Sequence, residues 1–388
     1  MRTALLVTGM VQGGVGAHVA DLAGGLRRVG WQVSVAAPSS VIERFALVEE
    51  DTAACHLQVG SRPSPISDAR AVAALRRHMR RVDVVHAHGL RAGALAVLAR
   101  SILDPFPRST RAARHSPALV VTSHNAAPRG ALSRQTYSAL EQIVVRGADE
   151  LLVVSPDLHP GRSRSRRPDA RRAVVAAPKA LPTVDRVAGR RTLGVGAEES
   201  VVLSVGRLAP QKAMHRVIEV VSALAATGYP VRGVIVGEGP ELQRLRQDID
   251  ALRAPVTLLG RRDDVPDLVA AADVVLSSAI WEGQPVWLQE ALGLGTAIVA
   301  TDVGGSRAMI DDGAEWVEGE PAAGTDDAVV DRLSTAVSAL LDDRRALEDL
   351  RARARRAGGR LPTSRDATVA ALESYRRAAL YHRGPHVD

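Results

Sequence analysis

The segment from residue 281 to residue 291, WEGQPVWLQEA, combines the residue types of a ligand site with the signals of a helix start. Gly283 allows a ligand to approach the backbone closely, and Pro285 suits the first helical position, where its missing N–H costs nothing. Glu290 lies further into that helix, where its carboxylate can accept two hydrogen bonds from a vicinal diol such as that of a ribose. Glu282 lies in the loop, where it can meet the hydroxyls of a second moiety.

The start of that helix is also a candidate anion site. The first amides of a helix have no intrahelical acceptor, and together with the helix dipole they attract anions. Here these amides belong to Gln284, Val286 and Trp287. The plain alternative is a capped amphipathic helix with a surface glutamate, and the spacing alone does not decide between the two.

A second candidate is the segment GRLAPQK at residues 206–212, directly after an apolar run at residues 201–205. Among the 50 lysines and arginines of the chain only Lys179 and Lys212 are lysines, so a lysine in this loop stands out. Arg207 offers a planar fork and Lys212 a point charge, and both kinds of cation suit a diphosphate. The alternative is an ordinary strand-to-helix loop with solvated charges.

Two further loops of the second half of the chain carry weaker signals. Gly237 and Glu238 follow an apolar run at residues 231–236, and Arg261 follows another at residues 256–259. Either loop can pack on a base or on a phosphate. Each taken alone is more often a simple turn.

The first half of the chain adds glycine and histidine signals. Gly14 lies in a GGVG segment, which predicts a tight loop between the first strand and the first helix. This segment is not the dinucleotide fingerprint, because the order G-x-G-x-x-G is missing. His86 and His88 alternate onto one face of a predicted strand, and His124 follows a later strand. A strand-end histidine taken alone is more often structural than catalytic.

The elements that must position these residues follow from the hydrophobic pattern, which alternates between short apolar runs and helical segments. Runs that are apolar throughout predict strands buried on both faces of a parallel sheet, which is the α/β class. The predicted strands cover residues 4–8, 33–37, 82–87, 119–123, 151–154, 201–205, 231–236, 256–259, 273–277 and 297–300. The predicted helices cover residues 18–29, 71–82, 214–226, 241–252, 265–271, 286–294, 328–341, 344–357 and 364–381.

The pattern breaks once, in the middle of the chain. Segment 159–173 is rich in arginine and predicts an exposed loop, and segment 178–200 predicts the passage between two domains. We therefore predict two doubly wound domains, residues 1–183 and 184–362, followed by a last helix within residues 363–388. Ligands of such sheets bind outside the carboxyl ends of the strands, so the two domains predict a cleft that contains the candidate loops.

The composition excludes several classes of protein. Apolar residues make up 46% and charged residues 24%, as in soluble globular proteins, and no apolar run reaches the ~18 residues of a membrane span. The single cysteine, Cys55, excludes an intrachain disulfide and suits a reducing cytosol. The net charge of +7 comes almost entirely from arginine, whose GC-rich codons are an alternative source of it. Aromatic residues are only 3%, so we expect no nucleic-acid partner.

Taken together, the motifs resemble those of the retaining GT-B glycosyltransferases of family 4. The motifs, in chain order, are GGVG, HAHG, SHN, ADELLVVS, GRLAPQK, VGEGP and EGQPVWLQEALGLGTAIVATDVGG. The resemblance implies the GT-B fold, in which two Rossmann-like domains of doubly wound parallel sheet face a central cleft. It also implies that the last helix crosses back onto the N-terminal domain.

The resemblance implies roles for the charged residues of the second half. Glu282 and Glu290 match the E-x7-E motif of the family, whose first glutamate contacts the donor sugar and whose second contacts the nucleotide ribose. Arg207 and Lys212 match the pair that holds the donor diphosphate. These four residues, together with the helix start, are the core of the implied donor site.

The resemblance extends to residues outside that core. Arg261 falls where the base is usually recognised, and Gly14 matches the loop that approaches the phosphates and the acceptor. His124 matches a histidine that contacts the sugar near the reacting carbon. Several positions depart from the family pattern. Among them, Ala213 stands where glycine usually follows the lysine, and Trp287 is bulky for its place beside the phosphates.

The implied chemistry needs neither a cofactor nor a metal, because cations and helix amides stabilise the charge of the departing phosphate. The D-x-D sequence at residues 248–250 falls inside a predicted helix, and we interpret it as a solvated helix face. In this family retention is usually explained by front-face attack, in which the leaving phosphate takes the acceptor's proton. The expected partners are a nucleotide-diphosphate sugar, UDP-linked before GDP-mannose, and a small-molecule, glycan or lipid acceptor.

Two alternatives stay open at this point. One is a GT-B sugar-nucleotide epimerase, although the E-x7-E spacing and GRLAPQK favour a transferase. The other is a basic membrane-binding or nucleic-acid-binding protein with a decayed site, supported by the arginine-rich loop and by the arginines at 76, 77, 80 and 81. A lipid-linked acceptor would also suit this charge. We therefore expect a cytoplasmic protein and consider peripheral contact with the inner face of a membrane.

Overall fold

A computed structural model describes residues 2–11, 13–48, 53–60, 64–103, 116–126, 131–158, 170–178, 181–319 and 326–383. The chain divides into two compact units. The first unit is Met1–Ala176 together with Pro362–Asp388, and the second unit is Ala177–Leu361. Each unit contains a parallel β-sheet with helices packed on it. The predicted α/β class, with two Rossmann-like doubly wound domains, is confirmed.

The two sheets use all the strands of the described residues. The strands are β1 (Thr3–Thr8), β2 (Gln32–Ala37), β3 (Ala54–His56), β4 (Val84–His88), β5 (Ala118–Ser123), β6 (Glu150–Val153), β7 (Arg171–Arg172), β8 (Ser200–Val205), β9 (Val231–Val236), β10 (Val256–Leu258), β11 (Val274–Ser277), β12 (Ala297–Asp302) and β13 (Glu315–Glu318). The first sheet has the order β3-β2-β1-β4-β5-β6-β7, and the second has the order β10-β9-β8-β11-β12-β13. Every adjacent pair is parallel.

Helices connect the strands, as parallel pairing requires. The α-helices of the described residues are α1 (Gly14–Arg28), α2 (Ser39–Arg44), α3 (Pro65–Met79), α4 (Leu90–Leu103), α5 (Ala131–Gly147), α6 (Arg186–Thr192), α7 (Met214–Ala226), α8 (Leu242–Leu252), α9 (Val265–Ala271), α10 (Val286–Leu294), α11 (Ser306–Ile310), α12 (Asp326–Asp342), α13 (Arg344–Gly358) and α14 (Ser364–Arg383). Within the described ranges, no helix is both apolar enough and long enough to cross a membrane.

The first unit buries apolar side chains on both faces of its sheet. One face packs against α3, α4 and α5, where Leu75, Leu95 and Val144 meet the strand residues that point toward them. On the other face α14 packs on α1 and β5, so the last helix of the chain belongs to the first unit. His86 and His88 of β4 point to this second face, where Tyr375 of α14 lies against His86.

The second unit has the same two-sided construction. Val202 of β8 packs with Val217 of α7 and Leu333 of α12, whereas its neighbour Leu203 packs with Leu288 of α10 on the opposite face. This alternation explains why the strands are apolar at successive positions, because both faces are buried.

The strand order reverses once in each sheet, between β1 and β4 in the first unit and between β8 and β11 in the second. In doubly wound sheets ligands bind at such a switch point, outside the carboxyl ends of the strands. The loops that follow β8 and β11 are residues 206–213 and 278–285, which contain the candidate residues Lys212 and Glu282. The fold therefore places the two strongest sequence motifs at the switch point of one sheet.

Several local predictions were wrong. Gly14 was predicted in a loop, but it is the first residue of α1, because Gly13 with φ 53° makes the turn that precedes the helix. The predicted passage 178–200 contains α6, whose N-cap Asp185 accepts a hydrogen bond from the amide of Ala188 at 2.8 Å. Of the predicted exposed loop 159–173, residues 159–169 lie outside the described residues, and within the rest Arg171–Arg172 form strand β7.

Candidate functional site

The loops after β8 and β11 are held to each other by hydrogen bonds between side chains and backbone. Gln211 donates from Nε2 to the carbonyl of Trp281 at 3.0 Å, and its own carbonyl accepts from the amide of Ile280 at 2.9 Å. Ser278 donates from Oγ to the carbonyl of Ala213 at 2.9 Å. These two loops lie about 70 positions apart in sequence and together form one corner of the second unit. The corner is held together because each loop satisfies backbone groups of the other.

Lys212 and Glu282 form an ion pair within this corner. The Nζ of Lys212 donates to Oε1 of Glu282, whose side chain is only 7% exposed. Lys212 itself ends a single 3₁₀ turn, Pro210–Lys212, and the next residue, Ala213, adopts the left-handed conformation with φ 46° and ψ 45°. The structure therefore brings together two of the residues that the sequence assigned to catalysis. Because Lys212 neutralises a nearly buried carboxylate, neither charge stands alone.

Arg216 supports the same corner from α7, although it was assigned no role from the sequence. It is 3% exposed, donates from NH1 to the carbonyl of Ser278 at 3.2 Å, and donates from Nε to Asp326 at 3.1 Å. One feature of the sequence could have identified it. Arg216 occupies a position on the apolar stripe of α7, and a buried charge needs a partner. Its guanidinium ties the loop after β11 to the first residue of α12.

Glycines allow the loop after β9 to pack closely against the loop after β8. Gly237 has φ 144°, and a Cβ there would lie 1.8 Å from the carbonyl oxygen of Gly206, so no other residue fits. Its amide donates to the carbonyl of Gly260 at 2.8 Å, and the exposed Glu238 accepts from the amide of Leu208 through its carbonyl at 2.9 Å. These contacts place the predicted loops next to the Arg207–Lys212 segment.

The arginines of these loops differ in their surroundings. Arg207 is exposed, and its side chain makes no ion pair or hydrogen bond with the residues that the structure describes, so its charge is available to a ligand. Arg261 instead donates to Asp263 at 3.0 Å, with its side chain half exposed. Because Asp263 engages the guanidinium of Arg261, this loop is better suited to recognise a base through its backbone than through that guanidinium.

The start of α10 has the geometry of an anion site. Pro285 is the N-cap, one position earlier than predicted, and its carbonyl accepts from the amides of Leu288 and Gln289 at 3.1 and 3.2 Å. Val286 and Trp287 are the first two helical residues, whose amides have no acceptor one turn earlier in the helix. The buried Gly283 and the half-buried Gln284 lie in the loop just before them.

Glu290 lies one turn into α10 and is half-buried. Burial disfavours its charged form and raises the pKa of the carboxyl to about 7. Trp287, which the sequence marks as bulky for its place, packs partly against the core beneath α10. Glu290 is therefore a carboxyl that changes its charge near neutral pH, one turn from the helix amides.

The first unit carries the remaining two candidates. Gly14 starts α1 after β1, and His124 directly follows β5, where its Nε2 lies 3.2 Å from Nδ1 of His88. His86 bridges the hydroxyls of Thr122 and Tyr375, at 2.7 Å and 3.1 Å. Burial lowers the pKa of His86 to about 3, and it lowers the pKa of His124 well below its usual value. These histidines are therefore neutral at physiological pH.

Metal ligands do not gather in the described ranges, where no group of three His, Cys, Asp or Glu side chains is arranged to hold an ion. The D-x-D sequence lies on α8, as predicted, and Asp248 is within 3.9 Å of Arg244 one turn earlier.

Two family models match the chain in sequence order. The model described as "Glycosyl transferase 4-like domain" matches residues 13–178. The model described as "Glycosyl transferases group 1" matches residues 186–357. The second match contains every candidate residue from Arg207 to Glu290, and the first contains Gly14 and His124.

Solved structures share the fold across nearly the whole chain. A crystal structure of Anabaena HepE in complex with UDP and glucose is 18% identical, covers 96% of this chain and 99% of that protein, and has a TM-score of 0.76. The sucrose-phosphate synthase of Thermosynechococcus elongatus is also 18% identical, covers 97% and 99% of the two chains, and has a TM-score of 0.76. At this identity the likeness concerns the fold.

Similarity to proteins of related sequence is stronger. The D-inositol 3-phosphate glycosyltransferase of Mycobacterium avium is 31% identical over 313 residues, which are 76% of this chain and 70% of the relative. The protein of the same name from Mycobacterium marinum is 30% identical over 315 residues, and the match spans 64% of its length. Family models, relatives and fold agree, and the chain belongs to the family 4 glycosyltransferases of the GT-B fold.

Proposed function

We propose that the chain transfers a hexose-type sugar from a nucleotide-diphosphate sugar to an acceptor, with retention at the anomeric carbon and without a metal ion. The observation that carries the proposal is the Lys212–Glu282 ion pair at the switch point of the second unit, four residues before α10 begins. A cation, a nearly buried carboxylate and a helix start meet there. This is the combination that a sugar joined to a diphosphate requires, because it presents hydroxyls beside negative charge.

The roles follow from the chemistry of each group. Lys212 exchanges Glu282 for the donor diphosphate, and the unpaired Arg207 adds a second cation. The amides of Val286 and Trp287 add hydrogen bonds from the helix start. Glu282, released from the lysine, accepts hydrogen bonds from sugar hydroxyls, and Glu290 accepts them from the ribose.

The transfer step balances without a further reactant. The bond between the anomeric carbon and the diphosphate oxygen breaks, and its electron pair leaves with the phosphate. The acceptor oxygen forms its bond to the same face of that carbon, and its proton passes to the leaving phosphate oxygen. Negative charge grows on that phosphate as the bond breaks, and preorganised cations and amides stabilise this charge.

For the nucleotide we propose UDP, with GDP as the competitor. HepE was crystallised with UDP, and a relative from Escherichia coli, 28% identical over 125 residues, is named as using UDP-Gal. A relative from Rhizobium meliloti, 27% identical over 170 residues, is named a mannosyltransferase, so a mannose donor is the competing proposal. The family match does not favour an epimerase or a decayed binding protein.

Calorimetric titration with UDP and with GDP tests the donor site. We expect UDP to bind in the absence of added metal and in the presence of EDTA, and to bind more tightly than GDP. Glu290→Ala should weaken UDP binding, whereas Glu198→Ala, which changes an exposed glutamate of the second unit, should leave it unchanged. Failure of the wild-type chain to bind either nucleotide at millimolar concentration would sink the proposal.

A donor screen with product analysis tests the reaction. Incubation with UDP-sugars and a mixture of polyol, glycan and lipid acceptors should yield a product whose anomeric configuration equals that of the donor. Conversion of the sugar nucleotide with no acceptor added would instead identify an epimerase. Inversion at the anomeric carbon would contradict the retaining mechanism.

A lipid acceptor would bring the chain to a membrane surface, and the exposed arginines 76, 77, 80 and 81 at the end of α3 are the proposed contact. Sedimentation with anionic and with neutral liposomes across a salt series tests this part. Binding that depends on anionic lipid and falls with salt supports it, and no binding at low salt contradicts it.

A further inference from the structure

Four histidines form one buried cluster on the α1 and α14 face of the first sheet. His18, His86, His88 and His124 are each less than a tenth exposed. The ring centroids of His86 and His88 are 4.2 Å apart, and those of His88 and His124 are 5.5 Å apart in a stacked arrangement. His18 of α1 meets both His88 and His124 edge-on, at 5.5 and 5.9 Å. The ring of His88 is therefore enclosed by three other imidazoles.

Only one proton can occupy the contact between His88 and His124. Their facing nitrogens, Nδ1 of His88 and Nε2 of His124, are 3.2 Å apart. Both rings are neutral, since burial and the neighbouring histidines disfavour a positive charge on either. Two neutral imidazoles can share a hydrogen bond in two ways, and the choice fixes the tautomer of both rings.

The other nitrogen of His88 decides between these two ways. Nε2 of His88 is buried and has no hydrogen-bond partner among the described residues. If His124 donated to His88, the proton of His88 would have to lie on Nε2 and would be a buried donor without an acceptor, which folded proteins avoid. If His88 donates from Nδ1, only a bare lone pair is buried at Nε2. The arrangement in which His88 donates its proton to His124 is therefore favoured.

His86 holds the ring of His88 in place. Both of its nitrogens are engaged, Nδ1 by the hydroxyl of Tyr375 at 3.1 Å and Nε2 by Thr122 Oγ1 at 2.7 Å. Tyr375 lies on α14 and is 2% exposed. The last helix of the chain thus fixes His86, against which the ring of His88 packs.

We propose that His88 is a positioning residue that fixes the tautomer of His124, with Nε2 as acceptor and the proton on Nδ1. His124 then presents an N–H donor from Nδ1 to an oxygen of a bound sugar. Free histidine prefers the proton on Nε2, so the cluster selects the less common form. The part of the inference that concerns a sugar rests on the proposed function, but the tautomer itself does not.

Nuclear magnetic resonance of the full chain labelled with ¹⁵N-histidine measures the tautomer directly. Two-bond ¹H–¹⁵N correlation spectra distinguish Nδ1–H from Nε2–H, and single substitutions assign the signals of His124 and His88. We expect Nδ1–H for both rings in the wild-type chain. Nε2–H on His124 would overturn the proposal, whatever the activity of the protein.

Two substitutions of His88 separate positioning from packing. The side-chain amide of Asn places an N–H near the position of Nδ1, so His88→Asn should keep His124 in the Nδ1–H form and keep most of the turnover. His88→Leu removes the donor and should admit the Nε2–H form, with kcat lower by about tenfold or more and little change in UDP affinity. His78→Leu, on α3 outside the cluster, is the matched control.

The outcomes distinguish this inference from the proposed function. A wild-type chain that transfers no sugar but shows Nδ1–H on His124 contradicts the function and supports the positioning. Equal turnover in His88→Leu and His88→Asn contradicts the positioning in an active enzyme. If His88→Leu does not fold, the wild-type spectrum and His88→Asn still decide.

Discussion

Lys212 and Glu282 are each other's counterion, so the loss of either leaves a charge in a largely buried place. Lys212→Met removes a cation proposed to stabilise the leaving phosphate, and removal of one such donor typically lowers the rate by ~10²–10³. We expect kcat for transfer from the preferred UDP-sugar to fall by this factor, which steady-state kinetics will measure.

The control for that change is Arg244→Met, which removes an exposed arginine of α8 in the same unit. It should leave kcat within about twofold, because exposed ion pairs contribute little. Equal losses in the two variants would show that Lys212 acts only through stability.

Glu282→Gln should bind UDP yet transfer slowly, since its proposed contacts are with the sugar.

The proposed ribose contact of Glu290 should make UDP binding depend on pH. Its pKa is raised to about 7 by burial, and only the ionised carboxylate accepts two hydrogen bonds from a diol. UDP affinity should therefore rise between pH 6 and pH 8, and at pH 6, with about a tenth of the carboxyl ionised, it should be about tenfold below its limit. The phosphate of UDP also titrates, so the test is the comparison with Glu290→Gln, which should lose this part of the dependence. An identical pH profile in both proteins would contradict the role of Glu290.

The same raised pKa has a consequence for folding. A carboxyl whose pKa is higher in the folded chain binds more protons there than in the unfolded chain. The folded state is therefore penalised progressively as the pH rises from the unfolded value of 4.5 toward 7. Replacement by Gln should remove this penalty, so stability and donor binding oppose each other at this residue.

The sequence marked the candidate site residues more readily than the residues that support them. Lys212 stood out by its rarity, and Glu282 and Glu290 by their spacing at a helix start. Gln211 and Arg216 could not be assigned, because their partners lie more than 60 residues away in sequence. A side chain whose role is to satisfy a distant carbonyl has no local pattern to mark it.

At the level of elements, the turn between the 3₁₀ segment and α7 depends on Ala213. Its φ of 46° is unfavourable for a residue with a Cβ, at about 1–2 kcal/mol. Its methyl group is 1% exposed, and its burial contributes about 0.8 kcal/mol. Glycine would also lower the free energy of unfolding by about 0.4–1 kcal/mol, because it increases the conformational entropy of the unfolded chain. These effects nearly cancel.

We therefore expect Ala213→Gly to change the free energy of unfolding by less than about 1 kcal/mol, although the family usually has glycine there. Ala213→Val adds a branched side chain in the left-handed region and should destabilise by about 2 kcal/mol or more. Denaturant titration will measure both. A gain of several kcal/mol in the glycine variant would contradict this balance and show that strain dominates.

Element prediction succeeded where the pattern had one clear period. The helix predicted at 214–226 agrees with α7 at both ends, because its apolar stripe faces one core. Helix α4 was missed because most of its residues are buried, which weakens the alternation on which prediction relies. Strand β3 has three residues, too few to show a period.

For the whole molecule, prediction gained from the repetition of one architecture. Each half alternates apolar strands with helices, and this alone implies two doubly wound sheets. The hydrophobic pattern could not show which unit the last helix joins. Helix α14 belongs to the first unit through contacts with residues more than 300 positions earlier in the sequence.

The net charge of +7 is a property of the whole chain, and the structure shows how much of the arginine is already engaged. Arg100 pairs with the buried Asp149, Arg190 with Asp273, and Arg377 with Glu150. Arginines held in such pairs are less available to a polyanion, and aromatic stacking platforms are scarce.

We therefore expect only weak, non-specific binding to a duplex of DNA, with Kd above about 10⁻⁴ M at physiological salt. Fluorescence anisotropy with a labelled duplex, titrated at low and at physiological salt, will measure it. Binding seen at low salt should vanish on the addition of salt and should not compete with UDP, because the cations proposed to bind the donor lie in the loop after β8, at the end of a sheet. Sub-micromolar binding at physiological salt would show that the arginines serve a nucleic-acid partner after all.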